Sequence, residues 1–197
     1  MKVDALCIFP CTWKSANSTC NCGVAQRQQT GIVNGVVTEV NEYPWMVYLD
    51  GPFYCGGSVI SPHHVLTAAH CTTGTSPSEW NAVIGEIQTI SVAEILNRFT
   101  EAADLAILTL ASPISFSATA APVCLPASVS PLYTGEVATV AGWGDTTQGG
   151  SGSPTLMEAN LTVISNSQCS NAYVKDGLYN IDTIDRFVCL TLDLDLH

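Results

Sequence analysis

Apolar residues alternate with polar or small residues along most of the chain, with the period of two that is typical of β-strands. The segments between these runs, such as "DGPFYCGG" and "DTTQGGSGSP", have the glycine, proline and serine content of turns and loops. Residues 91–99 could form a helix, but Val92, Ile95 and Phe99 fit a strand at a sheet edge equally well. The strand-like runs lie at 45–49, 63–68, 105–110, 136–142 and 158–164. The pattern predicts an all-β fold, an antiparallel sandwich or barrel.

The composition favours one folded domain preceded by an unusual segment. Of the 197 residues, 47% are hydrophobic and 12% are charged, so the chain can bury a substantial core. The first 31 residues contain four cysteines and little hydrophobic pattern. We therefore predict a cysteine-rich leader or linker at 1–31, resembling the tail of an upstream disulfide-bonded module, and a folded domain at 32–197.

The charge balance excludes one class of partner. Six Lys and Arg residues against 17 Asp and Glu residues give a formal net charge of −11. No basic stripe is available to neutralise a phosphate backbone, so we expect no nucleic-acid partner. Residues 105–135 carry no charge, but their four prolines would interrupt an apolar helix of spanning length. We expect no membrane segment there.

The cysteine content indicates an oxidising compartment. Nine cysteines in 197 residues are typical of a secreted protein. Asn17 and Asn160 each begin an Asn-X-Ser/Thr sequon and are glycosylation candidates. The opening "MKVDALCIFP" has too short an apolar run for a signal peptide. We therefore expect an extracellular protein whose true N-terminus is missing from this sequence.

The segment "VLTAAHC" (65–71) contains the first candidate for chemistry, His70. A histidine beside a cysteine is usually structural, but Cys55 lies 16 residues before Cys71, and a bridge between them would fix the backbone at His70. Asp104 heads an apolar strand and could accept a hydrogen bond from one ring nitrogen, which a general base requires. From the local pattern alone, Asp104 fits a turn residue that introduces a strand better than a catalytic group.

Five segments resemble, in the same order, those of the chymotrypsin/trypsin family of serine endopeptidases. They are "CGGSVI" (55–60), "TAAHC" (67–71), "DLAIL" (104–108), "PVCLP" (122–126) and "AGWG" (141–144), and "IVNGVVTEVNEYPWMVYL" (32–49) resembles the start of the mature domain. The resemblance runs from about Cys22 to Cys189. It implies two antiparallel β-barrels with a catalytic cleft between them. It also implies that His70 is the general base and that Asp104 orients it.

The same resemblance implies three disulfide bonds, Cys55–Cys71, Cys169–Cys189 and Cys22–Cys124. The pairing of Cys7, Cys11 and Cys20 stays open, since three cysteines cannot all pair within one chain. A zinc site formed by these three with Cys22 has the wrong spacing for a zinc finger or ribbon. We expect no metal and no cofactor.

One family feature is absent from the sequence. The family carries its nucleophilic serine in a Gly-Asp-Ser-Gly-Gly-Pro segment, which the 197 residues do not contain. Ser151 in "GGSGSP" lies too early, immediately after "AGWG", and fits a surface loop. After Cys189 the family would continue into the serine loop, the specificity pocket and further strands. We therefore expect an incomplete second barrel and no oxyanion hole.

The family is activated from a zymogen by cleavage before the Ile-Val segment, here between Gly31 and Ile32. Cleavage in the family usually follows Arg or Lys, but here Gly31 precedes Ile32 and the nearest basic residue is Arg27. The activating protease is therefore not evident. His70 and Asp104 are 34 residues apart, a short spacing for the family, and the shortening follows "VIGE", where some relatives bind calcium. We expect no such calcium site.

The sequence as a whole predicts a serine-type endopeptidase that hydrolyses peptide bonds in protein or peptide substrates. An activating protease and inhibitors are its other expected partners. Because the serine segment is missing, we expect the chain as given to be inactive, through a truncated gene model or an alternative transcript. The alternative is a secreted, non-catalytic homologue that binds or regulates other proteins.

Overall fold

The computed structural model describes residues 6–8, 22–26, 36–85, 87–100, 103–125, 133–145, 150–175 and 189–191. Strands dominate these residues, which confirms the all-β prediction. The strands are β1 (Leu6–Ile8), β2 (Val36–Val37), β3 (Met46–Asp50), β4 (Tyr54–Ser61), β5 (His64–Thr67), β6 (Asn81–Ile84), β7 (Gln88–Thr100), β8 (Ala103–Leu110), β9 (Val137–Gly142), β10 (Met157–Ile164) and β11 (Cys189–Thr191). The helices are α1 (Ala69–Thr72) and α2 (Asn166–Lys175), with a 3-10 turn at Pro77–Glu79.

Each of the five strand-like runs became a strand, with bounds shifted by one or two residues. Residues 91–99 fall within the long strand β7, so the strand alternative was right and the helical one wrong. The assignment of "DGPFYCGG" to a loop was wrong in its second half, because β4 begins at Tyr54. Gly57 is accommodated in this strand because the Val65 side chain fills the space that a Cβ would need.

Six antiparallel strands close into a barrel in the order β3-β4-β5-β8-β7-β6. Alternate residues of each strand point inward, so that Val47 and Leu49 are fully buried while Tyr48 between them is half-buried. Closure leaves no unpaired strand edge, which removes the main route to edge-to-edge aggregation. The largest fully buried side chains of the core include Trp45, Trp80, Leu49, Ile84 and Leu108.

The other strands form a second antiparallel sheet in the order β1-β9-β10-β11, with β2 also paired to β10. Within the described residues this sheet has five strands and is not closed. Strand β1 comes from the predicted leader and pairs with β9, with Cys7 opposite Val140. Part of the segment 1–31 therefore belongs to this sheet, while the boundary at 31/32 itself stays a prediction.

The barrel and the second sheet meet through aromatic and polar contacts. The ring of Trp143, which follows β9, lies edge-on to Tyr48 with a centroid distance of 5.7 Å. The Tyr43 hydroxyl donates a hydrogen bond to the Glu158 carboxylate on β10. These contacts join the second sheet to β3 and to the segment that precedes it. Among the described helices, none is long and apolar enough to cross a membrane.

Candidate active site

The backbone around His70 is a single helical turn that enters from strand β5. This helix, α1, has only four residues, and Ala68 at its N-terminus provides no side-chain cap. A helix this short is not stable by itself in water. Local hydrogen bonds hold it, including one from the Thr73 hydroxyl to the Ala69 carbonyl oxygen at 2.8 Å. The conformation of His70 therefore depends on what attaches α1 to the barrel.

A disulfide bond provides one attachment. Cys71 in α1 is bonded to Cys55 in β4, with a Cα–Cα distance of 6.2 Å, as the resemblance implied. Both cysteines are buried, at 3% and 8% exposure. The Cys71 Sγ also lies 3.7 Å from the His70 Nε2. Since Cys71 follows His70 directly, the bond restricts the backbone that carries the imidazole.

Strand register brings Asp104 to the same end of the barrel as His70. In the β5–β8 pair, Thr67 lies opposite Ala106. His70 comes three residues after Thr67 and Asp104 two residues before Ala106. Because the strands are antiparallel, both residues leave the pair at one end, 34 positions apart in the chain.

His70 makes two hydrogen bonds to the Asp104 carboxylate. Its backbone N–H donates to Oδ1 at 2.8 Å, and its ring Nδ1 lies 2.5 Å from Oδ2. The two side chains are 32% and 35% exposed. With the Nδ1 proton directed at the carboxylate, Nε2 is the ring nitrogen that can accept a proton. This is the geometry of an oriented general base.

The structure describes only some of the other residues that were predicted from the sequence. The Cys22–Cys124 disulfide implied by the resemblance is present and closes a separation of 102 residues. Cys169 is buried and disulfide-bonded, but the side chain of its partner lies outside the described residues, so the Cys169–Cys189 bond stays a prediction. Five further predicted positions also lie outside the described residues: Cys11, Asn17, Cys20, Gly31 and Ile32.

Two polar residues from the sequence analysis occupy ordinary structural positions. Asn160 is half-buried in β10, where its Oδ1 accepts a hydrogen bond from the Thr139 hydroxyl at 2.9 Å. Its glycosylation stays a prediction. Ser151 is exposed on the loop after β9, next to Gly152, whose N–H donates to Asp145 Oδ1 at 2.5 Å.

One further contact beside His70 could not be predicted from the sequence. The Thr72 hydroxyl, on the last residue of α1, donates to Asn97 Oδ1 in β7 at 2.6 Å. Neither residue belongs to a segment that resembled the family, and only the register of β7 brings them together.

No group of three potential metal ligands occurs in the described part of the chain.

Comparison with known proteins identifies the architecture. The family model described as Trypsin matches residues 32–194, most of the chain. The chain belongs to the trypsin family. Its barrel, its short helix with the histidine and its two described disulfides are thus features of a trypsin-family domain.

Two curated relatives have comparable similarity to this trypsin-family chain. A venom serine protease from Polistes dominula is 33% identical over 181 residues, which cover 81% of this chain and 65% of that protein. The suppressor of tumorigenicity 14 protein homolog from Bos taurus is 32% identical over 168 residues, which cover 73% of this chain and 20% of that protein. The chain therefore spans less than two thirds of the length of either relative.

Proposed function

We propose that the chain carries the acid–base pair of a serine endopeptidase that cleaves protein or peptide substrates. The main support is the pair of hydrogen bonds between His70 and Asp104. In this proposal His70 takes the proton of a serine hydroxyl as the serine attacks the peptide carbonyl, and then gives it to the leaving amine. Asp104 holds the ring in the required tautomer and stabilises the imidazolium that forms, as in the general scheme for this family.

The nucleophile of the proposed reaction is the one group of the site that the sequence does not assign. The 197 residues contain no Gly-Asp-Ser-Gly-Gly-Pro segment. The backbone N–H of that serine also forms part of the oxyanion hole, so stabilisation of the tetrahedral intermediate depends on the same segment. We therefore propose that the 197 residues alone do not hydrolyse peptides, and that activity requires a product whose sequence includes the serine.

A labelling experiment tests this assignment. The 197-residue chain is treated with a fluorophosphonate probe, which reacts with activated serines. A longer protein product of the same gene that contains the Gly-Asp-Ser-Gly-Gly-Pro segment is treated in parallel. We expect no label on the 197-residue chain and a label on the longer product that disappears on His70→Ala substitution. Labelling of the 197-residue chain at Ser151 or any other serine would contradict the proposal.

The missing serine segment also favours a second candidate, a non-catalytic homologue that binds or regulates other proteins. Sequencing the 3′ end of the native transcript from the Cys189 codon separates the two. An in-frame Gly-Asp-Ser-Gly-Gly-Pro segment supports the endopeptidase. A stop after the His197 codon in abundant message supports the non-catalytic homologue.

Location and activation are further parts of the proposal. The disulfides of this chain and its similarity to a venom serine protease support secretion. Cleavage between Gly31 and Ile32 by an activating protease would release the Ile-Val terminus, as in zymogens of the family. N-terminal sequencing of secreted material tests this, because an active form is expected to begin at Ile32.

A further inference from the structure

The hydroxyl of Thr72 is buried and specifically engaged. The Thr72 side chain has no exposed surface, and its Oγ1 lies 2.6 Å from Asn97 Oδ1. A second acceptor, the Ala69 carbonyl oxygen, lies farther away at 3.4 Å. A hydroxyl has one proton to donate, so the shorter contact determines its direction. The buried hydroxyl is therefore committed to β7.

Asn97 stands on the strand pair that also carries Asp104. In the β7–β8 register, Asn97 lies opposite Ala106 and Phe99 lies opposite Asp104. Asn97, which accepts the hydrogen bond from the Thr72 hydroxyl, thus lies two positions before Phe99, the β7 residue that faces Asp104. A hydrogen bond to Asn97 fixes α1 relative to the strands that position the carboxylate.

Two neighbouring residues of α1 are therefore attached to different parts of the barrel. Cys71 is bonded to β4, and Thr72 is hydrogen-bonded to β7. One attachment would leave a four-residue helix free to rotate about it, whereas two attachments from adjacent residues fix its orientation. The paired hydrogen bonds from His70 to Asp104 need this orientation, because the backbone N–H and the ring Nδ1 must both face one carboxylate.

We propose that Thr72 and Asn97 are positioning residues of the His70–Asp104 pair. Their hydrogen bond holds α1 at the angle at which both N–H groups of His70 meet the Asp104 carboxylate. The catalytic relevance of this role rests on the proposed function. The role itself is tested without catalysis, so that failure of either idea is recognised separately.

The test compares two substitutions with opposite effects on shape and bonding. Thr72→Val keeps the side-chain shape and removes the hydroxyl, whereas Thr72→Ser keeps the hydroxyl and removes a methyl group. In the ¹⁵N-labelled full chain, solvent exchange of the His70 Nδ1 proton is measured by NMR. Exchange of the Val47 amide in the barrel core is measured in the same samples and compared separately, because it reports global unfolding.

We expect Thr72→Val to accelerate local Nδ1–H exchange about fivefold, the factor that corresponds to one typical hydrogen bond. Thr72→Ser should leave it within about twofold, because the hydrogen bond is retained. Asn97→Leu should act like Thr72→Val, and the double variant should add little, since both changes remove one interaction. Thr109→Val, on β8 away from α1, is the matched control and should have no effect.

Three results would overturn the proposal. One is unchanged exchange in both Thr72→Val and Asn97→Leu. Another is a larger effect of Thr72→Ser than of Thr72→Val, which would assign the role to packing. The third is strictly additive effects of the two single changes, which would show that the residues act independently. If Thr72→Val does not fold, Asn97→Leu decides alone, because Asn97 lies at an exposed position of β7.

Discussion

At the scale of single residues, the candidate site depends on hydrogen-bond geometry more than on burial. About a third of the His70 and Asp104 side chains is exposed, at 32% and 35%, so solvent screens the attraction between their charges. The 2.5 Å contact between Nδ1 and the carboxylate Oδ2 still defines which ring nitrogen carries the proton. Replacement of the carboxylate by an isosteric amide should therefore change the tautomer while the fold persists.

We predict that Asp104→Asn abolishes the hydrogen-bonded Nδ1–H signal of His70 in NMR spectra of the 197-residue chain. The amide can present its NH₂ group to Nδ1, and the ring proton then moves to Nε2. In a product that contains the serine, kcat should fall about 10⁴-fold, the loss known for the equivalent substitution in this family. Asp145→Asn, on the loop after β9, is the control and should preserve the signal. An unchanged Nδ1–H signal in Asp104→Asn would contradict this assignment.

A second residue-scale prediction concerns Tyr48. Burial raises the pKa of the Tyr48 phenol, and the nearby Tyr54 and Asp50 raise it further. The folded state thus favours the neutral phenol, and its contribution to stability is complete below the unfolded pKa of about 10 and is lost as pH rises through the folded pKa. In an absorbance titration, Tyr48→Phe should remove one phenol whose pKa lies above the ordinary value of about 10. Tyr54→Phe should move that titration to lower pH, and a shift to higher pH would contradict the stated cause.

The His70–Asp104 pair could be predicted from the sequence only because the surrounding segments resemble those of the trypsin family. By itself, Asp104 fits a residue that introduces a strand, and nothing in the local pattern joins it to a histidine 34 positions away. The contact between Thr72 and Asn97 had no comparable signal. It depends on strand register, and a shift by one residue would point Asn97 to the other face of the sheet.

At the scale of elements, strand prediction succeeded where side chains alternate and failed where glycine enters a strand. The first half of β4 (54–57) contains Gly56 and Gly57 and was assigned to a loop, although β4 pairs regularly with β3 from Tyr54 to Ser58. Glycine weakens a strand by itself, but here Tyr48 lies opposite Gly56 and Val65 fills the space beside Gly57. Neighbouring strands therefore decided a conformation that local propensity did not favour.

Helix α1, which carries His70, depends on the Cys55–Cys71 disulfide for its attachment to the barrel, and we predict the size of this contribution. Replacing Cys55 and Cys71 by alanine should lower the free energy of unfolding by about 3 kcal/mol, the chain-entropy value for a loop of this length. It should also broaden the His70 Nδ1–H signal, since one attachment of α1 is lost. Urea denaturation and NMR measure the two effects.

The matched control for that prediction is the other described disulfide. Replacement of Cys22 and Cys124 opens a much longer loop, with a separation of 102 residues, and should cost about 4.7 kcal/mol in the same treatment. Because neither cysteine of this bond belongs to α1, the His70 signal should persist. Equal effects of both replacements on that signal would contradict a local role for the Cys55–Cys71 bond.

At the scale of the whole molecule, the barrel strands and strand β10 of the second sheet differ in how completely they are buried. The barrel is closed, and its core residues such as Val47, Val59 and Val65 have no exposed surface. In β10 only Val163 is buried, and the other side chains are half-buried. The sequence did not predict this difference, because both regions have the same alternating pattern and burial depends on which strands pair.

This difference predicts two levels of stability within one chain. Amide protons of the barrel core should exchange only through global unfolding, whereas those of β10 should exchange through opening of the second sheet alone, at least tenfold faster. Native-state hydrogen exchange measured by NMR at increasing low urea concentrations distinguishes the two routes. Because the candidate pair is attached to β4, β5, β7 and β8, all in the barrel, the His70 Nδ1 proton should not follow the exchange of β10 as urea rises. Indistinguishable protection of Val59 and Val163 would instead show that the two sheets unfold as one cooperative unit.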